Sequence, residues 1–113
     1  MMTIALTAIQ SQTVCGILRK VLASSAVDRP FRAWVFGSRA TGHARPFSDL
    51  DLLISWPPGL SWRERVDLAD AFEASDLPFR VDIVESSRLN QAIAARVMAE
   101  RQILIEITDK NDE

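Results

Sequence analysis

The stretch from Phe31 to Ile54 constrains the fold more than any other part of this chain. Phe31 to Phe36 is a run of aromatic and β-branched residues, the composition of a strand. It stops at Gly37-Ser38. A short helical turn over about 38–42, ended by Gly42, and a polar loop from His43 to Ser48 follow. The chain then reads Asp49-Leu50-Asp51-Leu52-Leu53-Ile54. Strand side chains alternate between faces, so Asp49 and Asp51 point one way and Leu50 and Leu52 the other, into a core. Two carboxylates in register repel, so the pair points to a cation or a proton between them, against the alternative that both are ordinary strand-start residues on a solvated face.

The flanking segments alternate in type. Leu6, Ile9, Thr13, Ile17 and Val21, with Leu18 and Leu22, recur at helical spacing and predict a helix over about 5–24. Asp28-Arg29-Pro30 ends it. Asp49 to Ser55 is expected as a strand, and Trp56-Pro57-Pro58-Gly59-Leu60 as a loop. Ser61 with Glu64 is a capping-box pair that opens a helix to about Ala74, with Trp62, Val66, Ala69 and Phe72 near one face. Phe79 to Glu85 reads as a strand. Ser86 or Ser87 is expected to cap a helix to about Arg101, with Leu89, Ile93 and Val97 in register. Gln102 to Ile107 reads as a last strand. The expected class is α/β (α+β), with a small mixed sheet of three to four strands backed by helices.

With 113 residues, residues 1–113 are expected to form one domain, with a catalytic core over about 30–107 and an acidic tail over 109–113. Net charge is −2, and Lys and Arg are scattered. Stable nucleic-acid binding is therefore not expected. The single cysteine, Cys15, makes no intramolecular disulfide and is expected near the core. No apolar run approaches the roughly 20 residues that span a bilayer, so no membrane contact and a cytoplasmic location are expected.

Oxygen ligands suit magnesium, which usually keeps waters and phosphate oxygens in its shell. Asp49 and Asp51 with a triphosphate are a normal ligand set for it. Gly37 lets backbone approach a phosphate closely, and the turn's free N–H groups with the Ser38 hydroxyl can bind phosphate oxygens. Ser38 can equally cap the turn. Asp82 lies among apolar residues of its strand. If that strand neighbours Asp49–Asp51, Asp82 completes the metal site or accepts the proton of the attacking hydroxyl; otherwise it is an exposed edge residue. Arg39 and Arg45 are candidates for phosphate contact, against a structural carboxylate partner for Arg39 and a solvated loop position for Arg45. The lone His43 has no second ligand at zinc spacing. Trp56 and Trp62 are expected in the core, or in a partner surface if exposed.

Gly37-Ser38-Arg39-Ala40-Thr41-Gly42, five residues, then Ser48-Asp49-Leu50-Asp51-Leu52, resembles the signature of the DNA polymerase beta-like nucleotidyltransferase superfamily. The element order, with Val81-Asp82-Ile83, extends the likeness over about 30–107, and the chain looks most like the minimal nucleotidyltransferase (MNT) group. That resemblance implies Gly37 and Ser38 at the triphosphate, two Mg2+ ions on Asp49 and Asp51, and Asp82 as third carboxylate. It implies ATP as substrate, with attack on the α-phosphorus and release of pyrophosphate. It further implies an antitoxin that transfers AMP to a tyrosine hydroxyl of a HEPN-type toxin partner. Family members often carry arginine where this chain has Thr41, and a glycine near Arg101. Two other readings stay open: an inactive module that masks a toxin by contact, and nucleotide transfer to a small molecule.

Overall fold

The computed structural model describes residues 3–25, 31–56 and 59–107. The expected stop at Asp28-Arg29-Pro30, the Pro57-Pro58 pair and the acidic tail at 109–113 lie outside those residues. The order is α1 (Ala8–Ser25), β1 (Phe31–Phe36), α2 (Ser38–Thr41), β2 (Leu50–Ser55), α3 (Trp62–Glu73), β3 (Val81–Glu85), a 3-10 turn (Ser86–Arg88), α4 (Gln91–Glu100) and β4 (Gln102–Ile107).

The four strands form one mixed sheet in the order β3-β2-β1-β4. β1 runs antiparallel to β2 and to β4, and β2 runs parallel to β3. A parallel pair needs a crossover, and α3 supplies it. Leu50, Leu52 and Ile54 of β2 and Phe31, Ala33 and Val35 of β1 project from one face into the main core. Val14, Leu18 and Leu22 of α1 and Leu68 and Phe72 of α3 cover them. Asp51, Leu53 and Ser55 take the other face, and Leu53 is buried there too. That two-sided burial explains why β2 reads as a nearly continuous apolar run.

α1 begins later than its apolar pattern suggests. Thr7 Oγ1 accepts the Gln10 N–H and Gln10 Oε1 accepts the Thr7 N–H, a reciprocal cap that fixes the start. The buried stripe is Val14–Leu18–Leu22, one residue per turn, and Ile9, expected inward, is 75% exposed. α3 opens on the anticipated capping box between Ser61 and Glu64. Its buried stripe is Glu64–Leu68–Phe72, which turns Trp62 outward at 74% exposure, against the expected inward face. Trp56 is buried edge-on against Phe31, and its Nε1 donates to Glu64.

The α4 start also differs from expectation. Ser86–Arg88 forms a separate 3-10 turn, and Asn90 rather than Ser86 or Ser87 caps the helix, accepting the Ile93 N–H at Oδ1. Asn is as strong a cap as Ser, so this choice falls to tertiary structure. The buried Glu85 anchors the preceding segment, accepting the Leu60 N–H and pairing with Arg65 and Arg88. Val97 is buried as expected, whereas Ile93 is about half exposed.

Candidate active site

β1 ends at Phe36, opposite Asp51 of β2, and Asp51 is in turn the partner of Asp82 on β3. Registered residues on adjacent strands share a face, with backbones roughly 4.8 Å apart. Asp51 and Asp82 therefore stand side by side, and Asp49 sits in the segment that leads into β2. The Asp51 carboxyl is raised above its ordinary value, first by burial and then by the charges of Asp82, Asp49 and Glu100, with Arg96 opposing. Asp82 is exposed, so an incoming group can reach it. Asp49 is also exposed and pairs loosely with Arg80 at 3.4 Å.

Gly37 lies against this cluster. Its φ is +74°, and a Cβ built on it would stand 2.3 Å from Asp51 Oδ2. The close approach that requires glycine is thus to a carboxylate of the chain itself, where close approach to a phosphate was expected. The Gly37 N–H donates to Glu100 Oε1 at 3.3 Å. Its carbonyl accepts from Ala40 and Thr41 N–H and from the Thr41 hydroxyl, which closes α2. Ser38 is half-buried, and its side chain does not cap α2; Gly37 holds the N-cap position. Among the described residues the Ser38 hydroxyl has no hydrogen-bond partner, which leaves it available to a ligand.

The two arginine candidates fare differently. Arg39 is 4% exposed, and its guanidinium donates to the carbonyls of Ala5, Arg45, Pro46 and Ser48 while stacking on Phe79 at 4.0 Å. That corrects the expectation of phosphate contact: Arg39 ties the N-terminal segment and the 45–48 loop to α2. Arg45 is exposed and lines a groove with Leu6, Gln10 and Phe47. The cation whose charge acts on Asp51 is Arg96 of α4. Arg96 and Glu100 escaped the sequence reading because a helix nearly fifty residues downstream carries them. A visible signal was Glu100 itself, a carboxylate in the last turn of a helix, where the dipole disfavours it.

Asp49, Asp51 and Asp82 offer oxygen donors of the kind a divalent cation takes, and the Asp51 carboxyl is raised by burial and by its neighbours' charges. Among the described residues no group of three or more His, Cys, Asp or Glu side chains is placed to hold a metal ion. Magnesium commonly keeps substrate phosphates and water in its shell and takes few ligands from the protein.

The sheet order, the glycine turn and the registered carboxylates define a nucleotidyltransferase fold, and a family model described as "Polymerase beta, Nucleotidyltransferase" matches residues 19–110. The chain belongs to that family. A solved minimal nucleotidyltransferase is 33% identical, with TM-score 0.58 over 83% of this chain and 88% of that one. "Probable protein adenylyltransferase MntA" of Haemophilus influenzae is 40% identical over 70 residues, or 62% of this chain, and the match spans 60% of that protein's length. The tri-AMPylated Shewanella oneidensis HEPN toxin in complex with its MNT antitoxin shares the fold, with TM-score 0.56, 20% identity and coverage of 84% of this chain and 71% of that one. No helix of the described residues is long and apolar enough to cross a membrane.

Proposed function

We propose that this chain transfers AMP from ATP to a hydroxyl of a protein partner, and that the partner is a HEPN-type toxin which it silences as an antitoxin. The observation that carries the chemistry is the registered Asp51–Asp82 pair beside the Gly37-Ser38 turn, with Asp49 at the strand entrance. The relatives support the acceptor: MntA is described as a protein adenylyltransferase, and the Shewanella oneidensis complex holds an AMPylated HEPN toxin.

In this reading Asp49, Asp51 and Asp82 would hold Mg2+ through carboxylate oxygens, with phosphate oxygens and water completing its shell. Once bound, the metal supplies charge stabilisation at the α-phosphorus and at the leaving pyrophosphate. Ser38 binds phosphate oxygens of ATP through its N–H and hydroxyl. The acceptor hydroxyl forms a new bond to the α-phosphorus as the bond to the β-phosphate oxygen breaks. Asp82, the exposed carboxylate of the registered pair, receives the hydroxyl proton. Arg45, solvated in its loop, is the remaining sequence candidate for phosphate contact.

The test is transfer of label from α-labelled ATP, with Mg2+, into a HEPN-type protein co-expressed with this chain. Labelling of a tyrosine in the wild type, absent in Asp51→Asn and Asp82→Asn, is expected. Toxin neutralisation that survives in both variants without any labelling contradicts the proposal and favours masking by contact.

A further inference from the structure

Glu100 occupies a position that helix physics does not favour. It sits in the last turn of α4, where the macrodipole repels a carboxylate, and that turn contains no basic residue. Its pairing with Arg96 places the cation N-terminal to the anion, the weaker order for an i,i+4 pair. A carboxylate held there against both preferences has a tertiary partner, and the partner is Gly37. Glu100 Oε1 accepts the Gly37 N–H at 3.3 Å, and Glu100 Oε2 accepts from Arg96 Nε at 3.0 Å. Both oxygens are thus engaged, one on the turn and one on a guanidinium.

The turn leaves little room for error. A Cβ on Gly37 would stand 2.3 Å from Asp51 Oδ2, so the turn packs against that carboxylate at a distance only glycine tolerates. A rotation of the Gly37 peptide would change that spacing and the placement of the adjoining Ser38. We propose that Glu100 is a positioning residue for the nucleotide site: it tethers the Gly37 N–H, fixes the height of the turn over Asp51, and leaves Ser38 as the group that faces phosphate. Arg96 orients Glu100 and balances its charge beside the three aspartates. With both oxygens committed, Glu100 is not a further metal ligand. The inference rests on the transferase reading above.

The test follows the Gly37 amide in the full chain by nuclear magnetic resonance, without metal or nucleotide, in Glu100→Ala, Glu100→Gln and Arg96→Ala. Glu100→Ala is expected to shift the Gly37 amide proton and speed its exchange with solvent about tenfold, the scale of one charge-assisted hydrogen bond. Glu100→Gln keeps an acceptor oxygen and is expected to restore most of the shift, and Arg96→Ala to change it less than Glu100→Ala. In transfer assays, Glu100→Ala is expected to raise KM for ATP about tenfold with little change in kcat, and Glu100→Gln to recover it. An unchanged Gly37 resonance in Glu100→Ala, or a KM that the Gln variant fails to recover, overturns the inference. A wild-type chain that binds no nucleotide overturns the transferase reading instead, and the Gly37 resonance still decides the tether.

Discussion

Gly37 is the residue at which backbone geometry and chemistry meet. Its positive φ and its contact with Asp51 both exclude a side chain. Gly37→Ala is expected to destabilise the fold by about 2–3 kcal/mol and to abolish transfer, as read by denaturant melts and label incorporation. Asp51 sets the pH response. Its folded pKa is raised, so between the ordinary carboxylate value and that raised value the native state binds more protons than the unfolded one. Its contribution to stability therefore falls as pH rises through that window and stays low above it. Asp51→Asn is expected to raise the melting temperature of the metal-free protein at pH 7 while eliminating transfer; a lowered melting temperature would contradict this. Arg39 is a third case. Arg39→Ala should lower stability by several kcal/mol, since it orphans carbonyls on two segments, whereas a phosphate-binding arginine would change KM and spare the melt. Residue identities alone did not distinguish Arg39, spent on carbonyls, from Arg96, whose charge opposes the rise of the Asp51 pKa, because that depends on which segments fold back.

Capping chemistry decides the helix boundaries. Ser61→Ala removes the acceptor for the Glu64 N–H and should cost about 1 kcal/mol, measured by thermal or denaturant unfolding. The Ser61–Glu64 pair was legible in the sequence because the two halves of the motif lie only three residues apart. Thr7-x-x-Gln10 carries the same pattern and fixes the start of α1, yet the apolar residues before it masked the signal. The helix faces were harder to read. α1 carries apolar residues on more than one face, so Ile9–Thr13–Ile17 and Val14–Leu18–Leu22 both fit helical spacing, and packing on the sheet selects the second. In α3 the buried stripe includes Glu64, whose carboxylate accepts the Ser61 N–H and the Trp56 indole N–H. A polarity pattern assigns such a residue to solvent. Strands β1 and β4 match their expected bounds because turn residues or caps frame them closely.

At the scale of the molecule, the order β3-β2-β1-β4 does the decisive work, and it depends on pairings between residues far apart in sequence. The alternation in β2 showed that Asp51 faces away from the core. It could not show that Asp82 becomes its neighbour, because a parallel register is set by the α3 crossover. The family resemblance supplied that neighbour in advance, and the parallel pairing realises it. Trp62 lies outside this framework, and Trp62→Ser should leave stability within about 0.5 kcal/mol of wild type in an unfolding titration. In the proposed chemistry Asp51 and Asp82 on adjacent strands, with Asp49 at the entrance to β2, share one cation site beside the glycine turn. Manganese titration followed by electron paramagnetic resonance, with a non-hydrolysable ATP analogue present, tests it most directly. Tight manganese binding to the wild type, lost in both Asp51→Asn and Asp82→Asn, is expected; wild-type affinity retained by either variant would show that its carboxylate does not share the cation.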